Sequence, residues 1–226
     1  MAPRILFVFT SADKSLTGSQ TGYWVSEAAH PYYVLSPHFD IDFASPIKNK
    51  FPADPTSINS AQDLKDSHAL NFLTDPKVAE KQATGKTLTE VDPKGYAAIF
   101  YIGGHGPVID LASDPNNAKL IEAFWEQDKY VAAVCHGPAA LAGARRNGKS
   151  IFADKKATGF TNTEEEAVKG ASLIPWLLED KIKELGGAFE RAGDWQPYVV
   201  VDGKLITGQN PASAEPLAKK LLEALA

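Results

Sequence analysis

Three short, continuous apolar runs constrain the fold of this chain more than any other feature of its sequence. They occupy residues 4–10, 96–102 and 130–134, and they are rich in β-branched and aromatic side chains. Runs of this length and composition are typical of strands buried on both faces, which occur in parallel sheets covered by helices. Helical patterns lie between the runs. We therefore predict an α/β fold, a three-layer sandwich with a mostly parallel central sheet.

Periodicity, capping residues and turn residues predict the remaining elements. Helices are expected at residues 23–30, 60–73, 139–146, 175–185 and 213–225, and another helix is expected to begin at Asp114-Pro115 with an apolar stripe that reaches Trp125. Further strands are expected at residues 41–44 and 157–160, and a hairpin at residues 199–207. Pro31 should kink or end the first helix. The polar, proline-containing stretch of about residues 46–95 is predicted to be a small cap-like insertion within one domain of residues 1–226.

The sharpest motif is Val-Ala-Ala-Val-Cys-His-Gly-Pro-Ala at residues 131–139. A strand ends at Cys135, and the small residues Ala133 and Gly137 on either side permit a tight strand-to-helix turn, as in the G-x-S-x-G motif of hydrolases. Such a turn places the thiol at the carboxyl edge of the sheet, where α/β proteins bind ligands. Unpaired N–H groups there are expected to lower the pKa of the thiol. A lone cysteine after an apolar strand is otherwise a small buried hydrophobic residue.

Two histidines and a glycine-rich loop accompany the cysteine. His136 follows it directly, and His105 lies in Gly103-Gly104-His105-Gly106 after another predicted strand. The N–H of His136 and one from Gly103 or Gly104 could stabilise an oxyanion. Both histidines could equally be surface or turn residues. The loop lacks G-x-G-x-x-G spacing and a Walker lysine, and no histidine or cysteine spacing indicates a metal site.

The charge and the apolar content exclude several classes of protein. A net charge of −5 without a basic cluster argues against nucleic-acid binding. One cysteine cannot form an internal disulfide, and no apolar run is long enough for a membrane span or a signal peptide. We therefore expect a cytoplasmic protein, or one that is also nuclear, with no nucleic-acid or membrane partner.

The segment at residues 132–138 resembles the nucleophile elbow of the ThiJ/PfpI family. Companion motifs of one branch of that family occur in order at residues 22–31, 103–106, 158–166 and 207–213. This branch contains the glutathione-independent glyoxalases of class III and related fungal heat-shock chaperones. The similarity spans essentially the whole chain.

The resemblance implies a flavodoxin-like fold, a homodimer, no metal or organic cofactor, and conversion of methylglyoxal to D-lactate, with glyoxal as a related substrate. It assigns Cys135 as the nucleophile, His136 as its neighbouring base and Glu27 as the carboxyl group beside the sulfur. The third member of the triad should come from the acidic run Glu164–Glu166, and counting along the motif favours Glu165. Gly103, Gly104, His105 and His136 are the candidates for oxyanion and substrate binding.

A thiolate and an ionised Glu27 cannot both exist at contact distance without a large repulsion, so the pair is expected to share one proton. Two other classes of function remain open at this point. One is a thiol-dependent amidase or peptidase that uses the same elbow cysteine. The other is a holding chaperone or an oxidative-stress sensor, because an accessible, low-pKa thiol oxidises readily.

Overall fold

The computed structural model describes residues 3–226. A central sheet of seven strands has the order β10-β11-β5-β4-β1-β2-β3, and every neighbouring pair is parallel except β10 with β11. The seven strands are β1 Arg4–Val8, β2 Asp40–Ser45, β3 Lys86–Thr87, β4 Ala98–Tyr101, β5 Tyr130–Val134, β10 Val199–Asp202 and β11 Leu205–Gly208. The predicted α/β sandwich with a mostly parallel sheet is confirmed.

Helices cover this sheet. They are α1 Val25–Leu35, α2 Pro55–Asp63, α3 Ser67–Thr74, α4 Pro76–Ala83, α5 Gly106–Ile109, α6 Pro115–Glu126, α7 Asn162–Ala167, α8 Leu178–Glu184 and α9 Ala214–Leu225. Helix α1 packs against α9 and α3, and α6 packs against β4 and β5. Strands β4 and β5 bury almost every side chain, as expected for strands with helices on both faces. Among residues 3–226, no helix combines the length and the apolar character needed to cross a bilayer.

The first two predicted helices need correction. Helix α1 does not end at Pro31 but continues to Leu35. Pro31 lacks an N–H and its ring crowds the carbonyl four residues earlier, but one face of the helix is buried and its packing sustains the helix. The single helix predicted at residues 60–73 is two helices, because Lys65 adopts a left-handed φ of 52° between α2 and α3. Asp66 then caps α3, accepting a hydrogen bond from the N–H of Ala69 at 3.1 Å.

The cap-like stretch contributes to the sheet as well as to its cover. Helices α2, α3 and α4 lie within it, and β3 pairs with β2 as the last strand of the central sheet. The unity of residues 1–226 as one domain stays a prediction.

Three further predictions differ from the structure near the elbow. Residues 139–146 do not form a helix. A single 3-10 turn spans Gly137–Leu141, and the N–H of Arg145 bonds to the Glu122 carboxylate instead of to a helical carbonyl. The small side chains there offer no amphipathic face whose packing could sustain a helix.

Helix α8 begins at Leu178, three residues later than predicted, because Leu177 lies in an extended conformation as its N-cap.

The predicted strand at residues 157–160 does not join the central sheet. Only β8 (Lys156–Ala157) is extended, paired with β9 (Ala188–Phe189) in a separate two-stranded sheet, while β6 (Arg145–Arg146) and β7 (Lys149–Ser150) form another. Beyond β8 the chain bonds to other partners. The N–H of Thr158 donates to the Thr207 hydroxyl and that of Phe160 to the Cys135 carbonyl. This segment therefore forms part of the wall around Cys135.

Candidate active site

Cys135 occupies a strained turn at the carboxyl end of β5. Its φ of 58° lies in the left-handed region, which residues with a Cβ adopt at a cost of about 1–2 kcal/mol. Hydrogen bonds fix the turn on both sides. The N–H of Cys135 donates to the Gly208 carbonyl at 2.9 Å, and its own carbonyl accepts from Phe160 at 2.9 Å. The residue is only 3% exposed, yet it lines a cavity of about 280 Å³ that opens at this edge of the sheet.

Close backbone approach makes glycine necessary at two positions around this turn. A Cβ on Gly103 would lie 2.3 Å from Glu27 Oε2 and 2.5 Å from the Val134 carbonyl. A Cβ on Gly137 would lie 2.5 Å from the Tyr101 carbonyl. Because real Cβ atoms do not approach other atoms so closely, a side chain at position 103 would displace Glu27 or Cys135, and one at position 137 would displace the end of β4.

Helix α1 brings the Glu27 carboxyl group against the thiol. The residue is fully buried, and neither of its oxygens has a hydrogen bond of good geometry. Burial raises the pKa of Glu27 well above its ordinary value, and the Cys135 thiol and the Gly103 N–H oppose this only in part. Such surroundings favour the protonated form of the carboxyl group.

The Cys135 thiol does not have the lowered pKa that its place in the turn predicts. Burial raises the pKa well above the ordinary value, and the adjacent Glu27 raises it further, while the N–H of Gly104 opposes both. The prediction considered the N–H groups of the turn but not the loss of water around the sulfur. The repulsion from Glu27 disappears when that group is protonated. The sharing of one proton by the pair stays a prediction.

An imidazole and a second carboxylate lie on the other side of the sulfur. His136 Nδ1 is 3.4 Å from Cys135 Sγ, and its Nε2 is 2.5 Å from Glu165 Oε2. Glu165 Oε1 also lies 2.7 Å from His105 Nε2. Since a carboxylate can only accept, both histidines donate from Nε2, and His136 Nδ1 is left as an acceptor facing the thiol.

The titration of these groups follows from their contacts. Burial alone would raise the pKa of Glu165, but hydrogen bonds from His105 and His136 lower it to about 2. Burial lowers the pKa of His136, and the bond to Glu165 opposes that effect. At neutral pH the arrangement is therefore a neutral imidazole between a thiol and an ionised carboxylate.

The model of the DJ-1/PfpI family matches residues 65–224 of the sequence, a range that includes the elbow, the His105 loop and Glu165. The chain belongs to the DJ-1/PfpI family. It is similar to the glutathione-independent glyoxalase HSP31 of Saccharomyces cerevisiae, with 32% identity over 100% of this chain and 99% of that protein. The resemblance stated from the motifs is confirmed.

Solved structures place this DJ-1/PfpI protein close to two others. The Rapid Encystment Protein 24 KDa of Francisella tularensis superposes with a TM-score of 0.92 at 35% identity, over 99% of both chains. Glyoxalase III of Candida albicans superposes with a TM-score of 0.83 at 26% identity, over 99% of this chain and 97% of the other.

The predicted site residues of this DJ-1/PfpI chain lie together. Cys135, Glu27, His136 and Glu165 form one connected cluster, and Gly104 and His105 line the same cavity. Gly103 lies behind the thiol, packed on Glu27. Among the three consecutive acids, only Glu165 contacts the histidines.

The other two acids point elsewhere. Glu164 is buried but accepts hydrogen bonds from the N–H of Trp195 at 2.8 Å and from Asn210 Nδ2 at 2.8 Å. Glu166 is exposed on α7. The roles of all these residues in a reaction remain proposals.

The apolar wall of the cavity was not predicted from the sequence. It is formed by Trp24, Phe160, Val168, Leu173, Trp195 and Pro211. Phe160 and Trp24 fall inside the motifs at residues 158–166 and 22–31, so the motifs could have indicated that they lie near Cys135. Trp195 lies in a loop without periodicity, and no sequence signal pointed to it.

His105, His136 and Glu165 also have the donor atoms of a metal site with two imidazoles and one carboxylate, all within 4.8 Å of one another. Their direct contacts of 2.5 and 2.7 Å argue against this use. Metal–ligand bonds of about 2.0–2.2 Å on each side of an ion would hold the carboxylate and the imidazoles about 3 Å or more apart. The three residues fit a hydrogen-bonded group better than a metal site.

Proposed function

We propose that this protein is a glutathione-independent glyoxalase that converts methylglyoxal to D-lactate. The observation that carries the proposal is the position of Cys135 Sγ between the buried carboxyl group of Glu27 and Nδ1 of His136. Two proteins that it resembles over their full length are named glyoxalases. A nucleophile flanked by two groups that can exchange protons suits an internal rearrangement of an aldehyde.

The first step is addition of the thiol to the aldehyde carbon. The thiol gives its proton to His136 Nδ1 as the C–S bond forms, and the carbonyl oxygen becomes the oxygen of a hemithioacetal. The N–H groups of Gly104 and His136 at the turn are the donors available to that oxygen.

The second step moves hydrogen between the two carbons. A base removes the hydrogen from the former aldehyde carbon to give an enediol, and a proton returns at the neighbouring carbon to leave a thioester. Glu27 is the candidate for this transfer, because its raised pKa lets it hold a proton near neutral pH and its carboxyl group adjoins the sulfur. It becomes a base by giving its proton to the carbonyl oxygen as the hemithioacetal forms, which leaves a carboxylate to accept the hydrogen of that carbon.

Hydrolysis completes the cycle. Water attacks the thioester carbon, the C–S bond breaks, and the product leaves as a 2-hydroxy acid while the thiol regains its proton. His136, oriented by Glu165, is placed to activate the water. The aldehyde carbon is oxidised and the ketone carbon reduced within one molecule, so no external oxidant or reductant takes part.

A direct assay tests this function. The wild-type protein and Cys135→Ala are incubated with methylglyoxal without glutathione, lactate is followed by proton NMR, and its configuration is determined by chiral chromatography. We expect D-lactate from the wild type and none from the variant. Wild-type protein with an intact thiol that forms no lactate would contradict the proposal and would favour the holding-chaperone alternative.

Thiol-dependent amide hydrolysis is the second candidate, favoured by the Cys135–His136–Glu165 contacts. The two reactions differ in their need for Glu27, because peptide hydrolysis requires no hydrogen transfer between carbons. Glu27→Gln should therefore abolish lactate formation and would spare hydrolysis of an activated amide. The homodimer and the cytoplasmic location stay predictions.

A further inference from the structure

The cavity above Cys135 has an apolar wall that the chemistry of a three-carbon aldehyde does not need. The cavity measures about 280 Å³, whereas one water molecule takes up about 30 Å³ of liquid volume. Methylglyoxal would leave most of the wall uncovered. A pocket of this size and lining is typical of a ligand with a substantial apolar group.

Aromatic rings extend from the reacting atoms to the cavity mouth. The Phe160 ring lies 4.6 Å from the His136 ring, with the planes tilted by 36°. The Trp195 ring follows at 5.8 Å from Phe160, in an edge-on arrangement. Trp195 remains 47% exposed at the mouth, a large apolar surface that a bound group could cover.

The backbone holds Trp195 in this place against its own preference. Its φ of 62° is left-handed, which is rare for a bulky residue. Its N–H donates to Glu164 Oε1 at 2.8 Å, and Asn210 Nδ2 donates to the same oxygen. Strained residues persist where surrounding contacts fix them, and such residues cluster at binding sites.

Four of the polar residues that line the cavity already bond to one another in pairs. The hydroxyls of Ser15 and Ser19 are 2.6 Å apart, and the Thr21 hydroxyl donates to Asp54 at 3.2 Å. A hydroxylated ligand would have to replace these bonds. Contact with the apolar wall carries no such cost.

We propose that the preferred substrates are aryl 2-oxoaldehydes, with the aromatic group on the ketone carbon lying against Phe160 and Trp195. This inference rests on the proposed function and specifies its substrate class. With phenylglyoxal the thiol adds to the aldehyde carbon. The hydrogen of that carbon then moves to the ketone carbon, and water cleaves the resulting thioester. The product is mandelate, whose acid form contains the atoms of one phenylglyoxal molecule and one water molecule.

The test compares kcat/KM for phenylglyoxal and methylglyoxal in four proteins: wild type, Trp195→Ala, Trp195→Phe and Trp176→Ala. Trp176 is the matched control, since it is a partly buried indole that lines a different surface groove. The readout is the ratio of the two specificity constants, which cancels any change common to both substrates. Circular dichroism verifies that each variant is folded.

We expect wild type to favour phenylglyoxal by about tenfold or more, and Trp195→Ala to reduce the ratio by about tenfold. Trp195→Phe should keep most of the ratio, and Trp176→Ala should keep all of it. A wild-type ratio at or below one, or a ratio that Trp195→Ala leaves unchanged, would overturn the inference while glyoxalase activity stands. If neither aldehyde yields a 2-hydroxy acid, the proposed function fails and this inference fails with it.

Discussion

Two buried glutamates lie on opposite sides of the Cys135 sulfur, Glu27 beside it and Glu165 behind His136. They differ in the hydrogen-bond donors that surround them. Glu27 is buried without a good hydrogen-bond donor, and its pKa is raised. Glu165 is buried almost as completely but accepts hydrogen bonds from His105 and His136, and its pKa falls to about 2. The surroundings thus favour the protonated form of this side chain on one side of the thiol and the ionised form on the other.

The difference shows that hydrogen-bond donors can outweigh burial: burial raises the pKa of Glu27 with little opposition, whereas the two histidines overcome the effect of burial at Glu165. The protonated acid can exchange a proton with a reacting group. The ionised acid can only orient the imidazole that it contacts. Three predictions test this division, beginning with the one expected to have the largest effect.

Glu27→Gln should lower kcat for methylglyoxal by about 10³-fold or more, because the amide keeps the shape but cannot accept or release the proton. Stopped-flow or NMR rates measure the loss, and alkylation of Cys135 by iodoacetamide in the same variant serves as the control. The thiol should remain alkylatable. Near-normal turnover would remove Glu27 from the proton transfer.

Glu165→Gln should lower kcat by about 10²-fold, since His136 loses the carboxylate that orients it. The same carboxylate opposes the lowering of the His136 pKa, so its loss should move the acidic limb of the pH–rate profile to lower pH. Glu166→Gln, an exposed neighbour on α7, is the matched control and should change neither quantity. If the acidic limb of the pH–rate profile stays in place in Glu165→Gln, that limb does not reflect the pKa of His136.

The pH dependence of stability should differ in sign between the two acids. Glu165 has its pKa lowered from 4.5 to about 2, so its ionised form stabilises the fold above pH 4.5. About 3 kcal/mol of the free energy of unfolding should be lost as pH falls from 4.5 toward 2. Glu27 has its pKa raised, so its contribution is present below pH 4.5 and is lost as pH rises.

Urea unfolding of wild type, Glu27→Gln and Glu165→Gln at fixed protein concentration measures both effects. Relative to wild type, Glu27→Gln should gain stability between pH 5 and 8. The deficit of Glu165→Gln should shrink below about pH 4.5. Parallel curves for the three proteins would contradict the assignment of both charges.

The fold could be predicted where local signals agree with the packing. The apolar run of β5 and the Asp-Pro start of α6 gave those elements correctly, because burial and capping act locally. The signals failed where tertiary contacts decide. Residues 158–160 resemble a strand in composition, but they bond to Thr207 and Cys135 and leave the sheet.

The candidate site follows the same rule. The thiol and its neighbours could be predicted from motifs, because the tight turn needs small residues at fixed positions. The raised pKa of the thiol could not be predicted, because it depends on how completely the folded chain excludes water from the sulfur and on the adjacent Glu27. The contact of His105 with Glu165 joins residues 60 positions apart, and the sequence carries no sign of it.

The left-handed backbone at position 135 has a consequence beyond geometry. Glycine would relieve the strain there, but it would also remove a buried side chain and give the unfolded chain more conformational freedom. These opposing effects are each about 1 kcal/mol. The architecture of the bend therefore does not depend on the sulfur, and an inert residue could occupy position 135 at little net thermodynamic cost.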